Sequence, residues 1–120
     1  MTQNPNSKRY DLEERTFMFA KMTRSFVRKL PKSIANIEDG KQLIRSSGSV
    51  GANYIEANDS LSKKDFVMRI KICRKEAKES RYWLRLINAG GRELEDMCDA
   101  LAQEATELMN IFGAILQKSR

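Results

Sequence analysis

A chain of 120 residues, 41% hydrophobic and 32% charged, has room for one soluble domain and little more. Histidine is absent, which removes the commonest metal ligand and the commonest general base near neutral pH, and two lone cysteines make neither a disulfide framework nor a paired metal knuckle. The net charge of +6 fits either the steering of an anionic partner or simply solvated helix faces, while two prolines and six glycines favour long helices over many short strands.

Residues 1–10 are polar and read as a flexible tail, without the apolar stretch of a secretory leader. A single domain is expected over 11–120. Asp11 with Glu14 resembles a capping box and opens a predicted helix over 11–30, whose apolar face is Leu12, Phe19, Ala20, Phe26, Val27 and Leu30. Pro31 stops it, because proline disfavours helical geometry at the residue before it. A second helix is predicted from about Ser33 to Asn58 along Leu43, Ser47, Val50, Tyr54 and Ala57, with Gly40 able to split off its first turn. Its centre, Ser46 to Asn53, holds two glycines and three serines and is a poor helix by propensity. Such residues make sense where a neighbouring backbone comes close.

The third helix opens at Ser62, with Asp65 three residues on, and follows the seam Phe66, Ile70, Cys73, Ala77, Ser80, Leu84 and Ile87 until Gly90-Gly91 ends it. The fourth carries Leu94, Leu101, Leu108 and Ile115 seven apart, with Cys98, Ala105 and Phe112 alongside. Four amphipathic helices with short connectors predict an all-α, antiparallel up-down-up-down four-helix bundle. Met18, Met22, Met68, Met97 and Met109 read as core filler. No apolar run approaches the ~18 residues a membrane helix needs, so neither a membrane nor a membrane partner is expected. A reducing cytoplasm suits the two unpaired cysteines.

Charge is segregated along the chain. Residues 61–89 carry a net +6, residues 90–120 a net −3, and the first sixty a net +3. On the third helix Lys64, Lys71, Lys78 and Arg85 recur every seven residues, with Arg74, Lys75 and Arg81 beside them. A positive stripe of about 30 Å is a candidate nucleic-acid-binding surface for RNA or DNA backbone. On this reading no aromatic residue interleaves with the stripe, which argues against a base-stacking, single-strand platform. The rival reading is a protein scaffold whose stripe docks an acidic partner or the acidic fourth helix of another copy.

A second sector of the same helix holds Ile72, Glu76, Glu79, Trp83 and Leu86. Its breadth fits either a wide core-facing arc or a subunit interface through Ile72, Trp83 and Leu86. Carboxylates inside such an arc need partners. Arg45, Asn53, Glu56, Glu76 and Glu79 are therefore expected to form a structural polar network between helices two and three, with Ser47, Gly48 and Gly51 permitting close approach. No catalytic residues are assigned, since no nucleophile stands with a base. Asn53 and Glu56 alone define no metal site, and Gly48-x-x-Gly51 lacks the strand that a phosphate loop or a nucleic-acid GxxG clamp requires. No metal and no cofactor are expected.

The segments RSSGSVGANYIEA (Arg45–Ala57) and KICRKEAKESRYWLRLI (Lys71–Ile87) resemble the bacterial four-helix-bundle proteins encoded within intervening sequences of large-subunit ribosomal RNA genes. Asn53-x-x-Glu56, Glu76, Ser80 and the Trp83-Leu84 pair carry the likeness. That group is similar in turn to the accessory variability proteins of diversity-generating retroelements. The resemblance implies a four-helix bundle, a homo-oligomer in the form of a pentameric ring with a basic surface, and association with nucleic acid and a reverse transcriptase. The first helix departs from the pattern in lacking the tryptophan-containing opening often present in relatives.

Overall fold

The four periodic stretches become four helices in a computed structural model that describes residues 7–120: α1 (Ser7–Arg28), α2 (Ile34–Asn58), α3 (Lys63–Leu86) and α4 (Arg92–Lys118), with no strand among the described residues. Local chemistry sets most of their ends. The hydroxyl oxygens of Ser33 and Ser62 accept hydrogen bonds from the Asn36 and Asp65 backbone N–H groups, both at 3.1 Å, capping α2 and α3. Ahead of Pro31, α1 closes in a turn through Lys29 N–H to Phe26 O (3.1 Å) and Leu30 N–H to Val27 O (3.2 Å).

Three boundaries differ from the sequence reading. α1 already runs from Ser7, so Asp11 lies inside the helix rather than capping it, and residues 7–10 form its first turn; the remainder of the expected tail, residues 1–6, lies outside the described residues. Gly40 does not interrupt α2, because it is a point of contact rather than a break: a Cβ there would stand 3.1 Å from Val27 Cγ1 of α1. α3 ends at Leu86, before the glycines, with Ile87 extended. Gly90 instead adopts φ +83° in the connector, where a side chain would meet the Pro31 ring at 2.8 Å.

Contacts between consecutive helices run in opposite order, which makes each pair antiparallel. Gly40, Gly48 and Gly51 of α2 face Val27, Arg24 and Thr16 of α1. Arg45 and Asn53 of α2 meet Glu79 and Arg69 of α3. Arg74 and Arg81 of α3 meet Gly113 and Thr106 of α4. α2 and α3 share the most extensive seam, α1 leans mainly on α2, and α1 touches α4 only lightly. At one end the buried Asn36 ties two connectors together: its Nδ2 donates to Pro31 O and Asn88 O, both at 3.0 Å, and its Oδ1 accepts from Asn88 N–H at 3.3 Å.

The core follows the expected seams, with Phe19, Phe26, Leu43, Ile70, Leu84 and Phe112 among its largest fully buried side chains. Phe66, Leu94, Cys98 and Ile115 are half-buried at its margins. Thr16 and Thr23 join the α1 face, the Thr16 hydroxyl donating to Glu13 O at 3.0 Å. Met97 and Met109 pack on the core, but Met18, Met22 and Met68 are exposed and are not filler. Met18 and Met22 fall on the α4 flank of α1, where the two helices stand apart.

Candidate nucleic-acid interface and the polar seam beside it

α3 is long enough, at 24 residues, to present about 36 Å of continuous face. Lys64, Lys71, Arg74, Lys75, Lys78 and Arg85 are exposed along it. Arg81 is half-buried and donates from Nη1 to Thr106 Oγ1 of α4 at 3.3 Å. Arg74 also leans towards α4, over the bare backbone of Gly113, 3.8 Å from where a Cβ there would stand. There it borders a cleft of about 470 Å³ with Lys71, Gln117, Ser119 and Arg120. Among the described residues none of the seven cations is ion-paired. The six exposed ones present their charge to water.

Contrary to the expectation that no aromatic residue interleaves with the stripe, Tyr82 lies on this face, four residues after Lys78 and three before Arg85. It is 54% exposed and packs edge-on against Trp83, ring centroids 5.1 Å apart at 76°. Its position eighteen residues after Lys64, five helical turns, was the available signal.

On the opposite flank of α3 lies the polar seam. Arg45 of α2 pairs with Glu79 through Nη2 and stands 3.7 Å from Glu76 Oε2 through Nη1. Trp83 Nε1–H donates to Glu79 Oε1 at 3.3 Å, which orients the indole. The Glu76 side chain is only 6% exposed, and its Oε2 has no hydrogen-bond partner among the described residues. Burial first, and the neighbouring Glu79 charge second, push its carboxyl above the ordinary value, with Arg45 pulling the other way. Below it the Ser46 and Ser80 hydroxyls lie 2.8 Å apart, and Ser80 also donates to Glu76 O at 2.9 Å.

Asn53 belongs to a separate cluster: its Nδ2 donates to Ser49 O and Oγ, and its Oδ1 accepts from Arg69 Nη1, all at 2.9 Å. Glu56 is exposed and outside both groups. The antiparallel register puts it level with Phe66, Val67 and Met68, which offer no donor side chain. The glycines also serve a different contact from the one expected. Gly48 and Gly51 admit Arg24 and Thr16 of α1, and the close approach of α2 to α3 rests on Ser46 and Ser80.

Of the sector read as a subunit interface, Ile72 is half-buried, Trp83 is half-buried against the core, and Leu86 is 50% exposed. Both cysteines are free. Burial pushes the Cys73 thiol up to about 12 and raises that of Cys98, whose Sγ–H points to Leu84 O at 3.2 Å. A bridge that sequence reasoning missed joins α1 to α4: Arg15 donates to Glu104 at 2.7 and 2.8 Å and to Glu107 at 2.8 Å. Among the described residues no group of three or more Cys, Asp or Glu stands together as a metal site, and no helix is long and apolar enough to cross a membrane.

These features define a small four-helix-bundle protein with a cationic face along its third helix. Residues 8–114 match the 23S rRNA-intervening sequence protein family, and the chain belongs to it. Its fold is similar to the crystal structure of a protein of unknown function from the S23 ribosomal protein family of Bacteroides thetaiotaomicron. That protein is 26% identical, with 92% of this chain and 98% of that chain covered and a TM-score of 0.78. No curated protein matches the chain.

Proposed function

We propose that this protein is a non-catalytic, cytoplasmic, self-associating bundle that binds the backbone of RNA or DNA through α3 without reading sequence. The observation carrying the reading is the set of exposed cations without an ion pair among the described residues, Lys64, Lys71, Arg74, Lys75, Lys78 and Arg85, on one continuous helix. Such a face neutralises phosphates and releases counterions, so affinity falls steeply with salt, by about 0.9 log unit per log unit of salt for each phosphate neutralised on duplex DNA. Membership in a family named for 23S rRNA intervening sequences makes structured RNA the first ligand to test. Self-association through Ile72, Trp83 and Leu86, into the five-membered ring the family likeness implies, joins several stripes and adds avidity.

The rival has support too. Glu93, Glu95, Asp96 and Asp99 are exposed on α4, a surface the stripe of another copy can meet. A gel-shift titration with structured RNA at two salt concentrations separates the readings. Submicromolar binding at low salt, lost in a Lys71→Ala/Lys78→Ala/Arg85→Ala variant that stays folded, supports the nucleic-acid role. No binding at low salt leaves the scaffold as the better account.

A further inference from the structure

We propose that Tyr82 is a base-stacking residue, and that the ligand of the α3 face is nucleic acid with at least one unpaired base. The inference rests on the backbone-binding reading above and adds its substrate class.

The position of the ring carries the argument. Tyr82 follows Lys78 by four residues and precedes Arg85 by three, so on a helix it stands between them on one face. It follows Lys75 by seven and Lys64 by eighteen, which returns it to the same angular sector. A strand whose phosphates run along these cations passes the ring. Tyr82 is 54% exposed, whereas Tyr54, on the core seam of α2, is 4% exposed. Among the described residues its hydroxyl has no hydrogen-bond partner, so the fold makes no visible use of its polar end.

The ring is also backed by fixed neighbours. It packs edge-on against Trp83, whose indole donates to Glu79, which Arg45 of α2 holds in turn. An aromatic surface with a braced neighbour loses little freedom when a base is laid on it. Every base has a π-face, so stacking is tolerant of sequence and agrees with a stripe that binds phosphates without reading sequence. A blunt duplex keeps its bases stacked on one another and offers the ring nothing.

The test uses a fluorescent single strand of roughly 20 nucleotides carrying one 2-aminopurine, and the blunt duplex of the same sequence, both at low salt. Tyr82→Ala is expected to weaken single-strand binding by about 5- to 100-fold and to abolish 2-aminopurine quenching, while duplex affinity changes less than about twofold. Tyr82→Phe keeps both affinity and quenching. The Lys71→Ala/Lys78→Ala/Arg85→Ala variant weakens both ligands, because backbone contacts serve each. If Tyr82→Ala, shown by circular dichroism to be folded, leaves single-strand binding within twofold, or weakens strand and duplex equally, the stacking role is overturned and backbone binding stands. If the wild-type chain binds neither ligand, both readings fall together.

Discussion

Glu76 turns its carboxylate into the α2–α3 seam, where Oε2 has no hydrogen bond among the described residues and the nearest guanidinium nitrogen among them is 3.7 Å away. Its pKa is raised above 4.5, by burial first and by Glu79 second. The folded state therefore holds this proton more tightly than the unfolded chain. The resulting stability is present below the unfolded value and is lost as pH rises through the raised folded value. Glu76→Gln keeps the shape without the charge, so it is expected to be neutral or stabilising at neutral pH and to flatten the loss of stability between mildly acid and neutral pH. Urea unfolding at the two pH values checks this, and equal destabilisation at both would refute it. The need for this seam was legible in sequence, because two carboxylates three apart within an apolar arc demand a cation, and Arg45 was at hand. The place of Glu56 was not, since spacing within one helix does not set the register against the next. Tyr82 was overlooked because an aromatic beside a tryptophan reads as part of the apolar arc.

At the scale of helices, the glycines of α2 and α4 have opposite jobs. A Cβ at Gly51 would lie 3.0 Å from Thr16 Oγ1, 3.3 Å from its Cβ and 3.6 Å from its backbone carbonyl carbon. A Cβ at Gly113 would meet only Arg74, at 3.8 Å, an ordinary contact. Alanine improves helix propensity by up to about 1 kcal/mol at either position. At Gly51 that gain is set against overpacking, which costs about 1–3 kcal/mol in a close-packed seam. Gly51→Ala is expected to destabilise the bundle and Gly113→Ala to stabilise it slightly, with thermal melts reading the two signs. Chain order, helix number and antiparallel pairing were legible because heptad-spaced seams and serine caps are local signals. That the Gly/Ser stretch of α2 marks a close approach was legible as well. Its direction was not: glycine has no side chain to point, and the approach expected against α3 is made by Gly48 and Gly51 against α1.

For the molecule as a whole the uneven member is α1, which is anchored on α2 but only lightly on α4. Between α1 and α4 runs an apolar groove of about 480 Å³, bordered by Met18, Met22, Met97 and Ala100 and bridged by Arg15 to Glu104 and Glu107. The guanidinium is held charged by two carboxylates, and Glu107 is held below its ordinary value, by Gln103 first and Arg15 second. Partly exposed pairs are screened by water, so the Arg15–Glu104 pair contributes about 1 kcal/mol at most. Its effect is felt locally, because few other contacts close this seam. Local opening is easiest where buried apolar contacts are fewest. Amide hydrogen exchange is therefore expected to be fastest in α1 and slowest across α2 and α3. Arg15→Ala is expected to speed exchange in α1 several-fold, through the loss of about 1 kcal/mol, while leaving Ile70 to Ala77 of α3 nearly unchanged. Uniform acceleration of all four helices would show instead that α1 opens only with the whole bundle.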